Sequence, residues 1–411
     1  MRFWLDIILF VLVIQYIFDR ILDFLEYKHS KKPLPQEIST IYKEEEIEKT
    51  KQYQWTNARF SLVTETLSLL LMLGILYAGF LGWLDHRIRD YIGDEIWVSA
   101  TFFGLLFIAS DLLQTPFEIY HTFRIEEKFG FNKTTPKIFI LDKFKGYLLT
   151  LIIGGGLSWI TIWLYYLTPD NFWIYVWIIF IVFNLLAITF YTSLILPIFN
   201  KLSPLTEGSL KTTVTQFADA INFPLKGIFV IDGSKRSTKS NAFFTGFGKR
   251  KKIILYDTLL TNHSEQEILA ILAHEVGHYK KKHIQKGLFI SIIYTGLLLF
   301  ILSVFLKFPQ SAWILGSSKP SFHLGIITFG LIFSPVSLVL GLAGNYFSRR
   351  NEYSADRFAL ENGFAEPLAD ALKKLNKENL SEINPLPINV VLHYSHPTLA
   401  ERLRALCVTH K

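Results

Sequence analysis

The 411-residue chain has a single cysteine, Cys407, and two methionines. One thiol excludes an internal disulfide framework and any metal site built from cysteines, and it suits a reducing compartment. Charge is scarce as well. Asp, Glu, Lys and Arg make up 19% of residues, where a soluble chain of this size carries about a quarter. The sequence contains no internal repeat and no low-complexity segment, which excludes a solenoid architecture. The first apolar run lacks a small-residue cleavage site, so it reads as a retained span and not a signal peptide.

Apolar residues take the place of charge. Half of the chain is hydrophobic, 15% is aromatic, and the mean hydropathy is +0.30. The excess gathers into about seven stretches long enough to cross a bilayer, near residues 3–22, 60–84, 96–117, 147–168, 172–197, 286–306 and 323–346. Glu65 and Asp111 interrupt two of them and are expected to face the bundle or a wet cavity, not lipid. Loop charge alternates along the chain. Lys28, Lys31, Lys32, Lys43, Lys49 and Lys51 follow the first span, and Arg124, Lys128, Lys133, Lys137, Lys143 and Lys145 follow the third. Lys249–Lys252 and Lys280–Lys282 fall in the long stretch 200–285, while the intervening loops offer only Arg87, Arg89, Lys307 and Lys319. By the positive-inside rule this sets residues 200–285 in the cytoplasm. The same pattern accounts for the net charge of +7 without a nucleic-acid partner.

Residues 204–285 form the longest non-membrane stretch. An amphipathic helix is expected over Thr212–Asn222, and strands over Gly227–Asp232, Asn241–Phe247 and Lys252–Tyr256, with Gly248–Lys251 as a turn. Next comes His274-Glu-Val-Gly-His278. On a helix, positions i and i+4 lie on one face, so both imidazoles can hold one cation, and Glu275 is placed to accept a proton from an attacking water. Ser264 and Glu267 predict a capping box at the helix start, and Lys280–Lys282 suit its C-terminal dipole. Gly277 costs roughly 1 kcal/mol in a helix interior and implies close approach of a strand or another helix.

A catalytic metal of this kind takes three protein ligands and one open position. Glu352 is the candidate third ligand. Asp356, one turn on, would accept the free ring N–H of a ligating histidine. This polar segment continues the last span and is expected to end at Asn362-Gly363.

Four segments in this order, Asn241-Ala-Phe-Phe-Thr-Gly-Phe247, His274–His278, Arg350-Asn-Glu-Tyr-Ser-Ala-Asp356 and Ser395-His-Pro-Thr-Leu-Ala-Glu-Arg402, together with the spans, resemble the type I CAAX prenyl proteases. The resemblance implies a mainly α polytopic membrane protein whose helices enclose a chamber, joined to a gluzincin-like metallopeptidase domain with a small β-sheet. It implies one Zn2+ on His274, His278 and Glu352, Glu275 as general base, and removal of the C-terminal tripeptide after a prenylated cysteine. By the same resemblance His396 and Arg402 flank the reacting carbonyl, and Asn241, Ala242 and Phe243 bind the substrate. Domain limits are expected at 1–200, 201–285, 286–347 and 348–411.

Alternatives stay open at this level. They are a general membrane-protein quality-control zinc protease and a transporter with a vestigial metal site. A protease cutting inside the bilayer would bury its motif in a span, whereas charges bracket this one. His263, His283, His323, His393 and His410 are expected to be structural or solvated. A single chain acting as a monomer is expected. The ending Thr409-His-Lys411 carries no endoplasmic-reticulum retrieval signal, which favours a bacterial inner membrane over the endoplasmic reticulum.

Overall fold

The computed structural model describes residues 2–246, 251–317 and 319–407. Among them, six helices are long and apolar enough to cross a membrane: Glu44–Tyr77, Glu95–Glu126, Pro136–Leu167, Phe172–Phe199, His283–Leu306 and Phe322–Glu361. The first helix, Arg2–His29, is 28 residues long, but every window of 18 residues in it includes at least three charges. The seven expected spans are therefore these six plus one more polar helix.

Several helices outrun the bilayer. Phe322–Glu361 has 40 residues, about 60 Å at the α-helical rise, against a hydrocarbon core of about 30 Å. Its surplus turns project past the membrane and carry Glu352 and Asp356, ending just before Asn362-Gly363 as expected. The second expected span stops early, at Tyr77, and a separate short helix, Phe80–Arg89, follows it. Three segments wind as π-helix, His121–Glu126, Thr150–Gly155 and Tyr191–Ile195. An extra residue per turn leaves the apolar run intact, so hydropathy does not betray it.

The two charges expected to avoid lipid are paired. Asp111 sits 3.0 Å from Lys143 Nζ and accepts a hydrogen bond from Tyr147 Oη at 2.5 Å. Glu65 pairs with Arg20 of the first helix. Lys143 is thus not a loop charge, as the sequence reading had it, but a partner inside helix Pro136–Leu167.

The loops gather at two ends. At one, Gly82 packs on Gly316 and Lys307 pairs with Asp170. A buried network there joins Asp85 to His323, Ser317 and Arg89 at 2.8–2.9 Å, with His323 also 3.0 Å from Ser99. At the other end, further connections are joined by side-chain and backbone contacts. Tyr42 donates to Asn376, Lys133 N–H to Arg236 O, and Arg236 forks onto Asp142. The lysine-rich loops therefore share one end with residues 200–285.

A four-stranded sheet lies at that end, with β1 Leu202–Pro204, β2 Leu225–Ile231, β3 Ala242–Thr245 and β4 Lys251–Tyr256 in the order β1-β2-β4-β3. β2 and β4 run parallel, and the outer strands pair antiparallel to them. Ile253 and Leu255 face the metal-motif helix Glu265–Lys280 and helix Ser209–Ala220, while Ile254 faces Leu196 of a span. Both sides are covered, which is why β4 reads as an unbroken apolar run and not an alternation. β3 is an edge strand. Phe247 and the expected turn residues 248–250 lie outside the described residues. β1 was not foreseen.

Candidate active site

Helix Glu265–Lys280 begins with the expected capping box: Glu267 N–H donates to Ser264 Oγ (3.3 Å) and Ser264 N–H to the Glu267 carboxylate (2.7 Å). Residues Ile268 through His274 are all buried, so between its exposed first turn and its last turn the helix has no solvent face. One side lies on the sheet and the other on helix Phe322–Glu361. Gly277 is the point of closest approach. A Cβ there would stand 2.9 Å from Ala355 Cα and 3.0 Å from its carbonyl oxygen, so the close neighbour is the second helix and not the edge strand. Gly277→Ala is expected to force the helices apart at a cost of about 1–3 kcal/mol and to weaken metal binding. Metal content and thermal midpoint measured together check this; wild-type values for both would refute it.

That approach brings three ligand atoms together. His274 Nε2 and His278 Nε2 are 3.2 Å apart, Glu352 Oε1 is 3.1 Å from His278 Nε2, and Glu352 Oε2 is 3.5 Å from His274 Nε2. A tetrahedral ion with bonds of about 2.0–2.1 Å would set its ligands about 3.3 Å apart. Glu352 Oε2 is moreover buried without an aligned hydrogen-bond donor, although His396 Nδ1 lies 3.0 Å away. Among the described residues this is the cluster fit to hold a metal ion. Its electrostatics ask for a cation. Burial opposes charge on His274, yet hydrogen bonds with Asp356 and Glu352 outweigh burial and raise the ring to about 9.

The outer contacts settle the tautomers. His274 Nδ1 is 2.8 Å from Asp356 Oδ1, so Nδ1 keeps its proton and Nε2 is the nitrogen turned to the ligand cluster. Arg402 holds Asp356 in turn through two hydrogen bonds, 2.8 and 2.6 Å. His278 Nδ1 faces His283 Nδ1 at 3.1 Å, and His283 Nε2 faces Ser354 Oγ at 3.0 Å, whose hydroxyl donates to Asn351 O. This relay leaves His278 Nε2 free for a metal as well. His283, expected to be structural or solvated, is buried within the site. Five residues past His278, a continuous helix would carry it off the ligand face. Lys282, at φ +58°, breaks the helix and swings it back.

Comparison with known proteins shows the family. Residues 23–201 match the model for the CAAX prenyl protease N-terminal region of five membrane helices, and residues 204–409 match that for peptidase family M48. The chain belongs to the M48 peptidases. It is 35% identical to CAAX prenyl protease 1 homolog of Arabidopsis thaliana, covering 96% of this chain and 95% of that protein. Against the human homolog the identity is 36%, over 91% and 88%. The crystal structure of S. mikatae Ste24p superposes with a TM-score of 0.92 at 33% identity, covering 98% of this chain and 99% of that one. As an M48 peptidase with apolar spans, the chain is a multi-pass membrane metallopeptidase.

The other residues singled out from sequence take distinct positions in this M48 site. Glu275 is half-buried beside the cluster; burial pushes its carboxyl above the ordinary range against the pull of His274 and His278. His396 is 63% exposed on its side chain and borders Glu352. Its loop hangs from the long helix, because Arg349 donates to Val390 O and Tyr394 O and Asn345 to Leu392 O. Arg402 is 12% exposed and fully engaged, which excludes the surface salt bridge that its sequence position alone would suggest. Asn241 lies one residue before β3, where its Oδ1 accepts from Ala242 N–H and its carbonyl from Tyr256 N–H. Ala242 and Phe243 open the edge strand. Of the histidines expected to be structural or solvated, 263 and 323 are buried away from the cluster, 393 is exposed, and 410 lies outside the described residues.

Proposed function

We propose that this M48 peptidase is a zinc metalloendopeptidase that removes the C-terminal tripeptide from prenylated CAAX proteins. The observation that carries the reading is one continuous similarity to CAAX prenyl protease 1 proteins through both the spans and the peptidase half, with the ligand cluster intact. The donor set, two imidazoles and a carboxylate, suits Zn2+. His274, His278 and Glu352 would hold it. When bound it would supply a Lewis acid for the scissile carbonyl and a lowered pKa for attacking water.

The chain's own groups do the rest. Glu275 accepts the proton of the attacking water and returns it to the leaving amine. His396, exposed beside Glu352, faces the carbonyl oxygen as charge develops on it. Arg402 acts one step back, holding Asp356 against His274. The substrate adds to the free edge of β3, where backbone hydrogen bonds give affinity with little sequence demand. All these groups come from one chain, in keeping with a monomer. Because the lysine-rich loops share the peptidase end, the site faces the cytoplasm. The eukaryotic relatives favour the endoplasmic reticulum over a bacterial inner membrane.

The test uses farnesylated and unfarnesylated CAAX peptides of one sequence, with purified zinc-loaded enzyme. Preferential loss of the tripeptide from the farnesylated peptide, abolished by chelation and restored by Zn2+, is expected. Equal cleavage of both would point to a general quality-control protease. His283→Ala is expected to lower metal affinity about 10–100-fold through loss of the His278 partner. Competition with a zinc-sensitive dye measures this, and wild-type affinity would remove His283 from the site.

A further inference from the structure

The antiparallel spans Phe172–Phe199 and His283–Leu306 touch closely at one level. Trp177 Nε1 donates to Ile292 O at 2.8 Å, and a Cβ on Gly296 would stand 2.7 Å from the Trp177 ring. About 15 Å along the first of these helices, ten residues at the α-helical rise, the same pair walls a cavity of about 410 Å3. Ala187, Ile188 and Tyr191 form one wall and Ile284 the opposite one; Phe243 and Tyr279 close it at the free edge of β3. Tyr279 adjoins the metal-cluster residue His278 in sequence, and Ile284 adjoins His283. The cavity is therefore walled by the sequence neighbours of two site residues and lies between two membrane spans.

Its walls are mainly apolar; Thr245, Gln285 and Lys251 are the polar exceptions, and Lys251 is 6% exposed. That ammonium is partnered: Nζ donates to Gly246 O at 2.6 Å and lies 5.2 Å from the Tyr279 ring centre. Burial also pulls its pKa down.

We propose that this cavity binds the isoprenoid chain of the substrate's prenylated cysteine. The inference rests on the prenyl-protein reading above. In that reaction the thioether-bearing residue also supplies the scissile carbonyl, so its isoprenoid must leave the backbone beside the metal cluster. Size favours the same occupant. An apolar cavity of about 150 Å3 accommodates benzene, and by proportion the space here holds roughly sixteen carbons. That matches the fifteen of a farnesyl group and far exceeds an aliphatic side chain. A larger apolar cavity of about 1190 Å3 lies between spans Glu44–Tyr77 and Glu95–Glu126. It takes no wall from the sheet or the metal-motif helix, so the first isoprene unit cannot begin there.

Two variants that fill the cavity from opposite walls test this, Ile188→Trp and Ile284→Trp. Zinc-loaded full-length enzyme is assayed on one CAAX peptide carrying either S-farnesyl or S-methyl cysteine. The ratio of kcat/KM between the two peptides is expected to fall about tenfold or more in each variant, since two displaced methylenes already account for that. A ratio within about twofold of wild type in both active variants overturns the proposal. Should both variants be inactive, wild-type enzyme is cross-linked with a farnesylated peptide bearing a diazirine at the distal end of the isoprenoid. Labels within residues 187–191, 243–246 or 279–285 are expected, and labels confined to residues 60–122 overturn it. Wild type that cleaves both peptides equally removes the isoprenoid site while leaving the peptidase reading standing. Wild type that cleaves neither removes the parent reading itself.

Discussion

Glu352→Ala is expected to empty the metal site and stop hydrolysis while leaving the chain folded. Glu352 would contribute one of three ligands, and its two oxygens reach both histidines, at 3.1 and 3.5 Å. A two-ligand site keeps no geometry that discriminates for a catalytic ion. Loss of an outer partner alone costs about 10–100-fold in affinity, so loss of a direct ligand should exceed the upper end of that range. Fold retention follows from the neighbours. Arg402 keeps both hydrogen bonds to Asp356, and the helix approach at Gly277 and Ala355 does not involve residue 352. The vacated space is also next to exposed His396 and can hydrate. Metal analysis after dialysis, with a thermal melt of the same sample, checks this. Wild-type metal content at limiting zinc would take Glu352 off the ligand set; loss of the melt would make its role structural.

The parts of this site that the sequence announced are those governed by helical period. His274 and His278, Glu352 and Asp356, and the Ser264–Glu267 cap are all spaced three or four residues apart, and a regular helix brings such pairs onto one face. The strands at β2, β3 and β4 were also legible, because turn residues punctuate short β-branched or aromatic runs. What escaped depends on departures from regularity. His283 reaches His278 only because the chain breaks at Lys282. The π-turns add a residue without changing composition. β1 is three residues ending in Pro204 and exists through its pairing to Phe229–Ile231, a tertiary contact with no local signal. Lys143 was counted as a loop charge because its partner Asp111 lies on a different span.

Glu275→Gln separates chemistry from metal binding, which Glu352→Ala cannot do. Glutamine preserves the volume beside His274 and removes only the capacity to accept a proton. The three ligand atoms and their outer partners Asp356, Arg402 and His283 are untouched, so metal content should stay at the wild-type level. Proton transfer by a positioned carboxylate contributes typically about 10²–10⁴-fold, and kcat should fall by that factor. Substrate affinity should change little, because the peptide would be held by the edge of β3 and its isoprenoid by apolar walls, neither of which includes residue 275. Single-turnover cleavage of a farnesylated peptide and equilibrium binding of the same peptide read the two quantities independently. Cleavage within about tenfold of wild type by metal-replete protein would mean that another group takes the proton. The exposed ring of His396, at 3.0 Å from Glu352, would then be the next residue to replace.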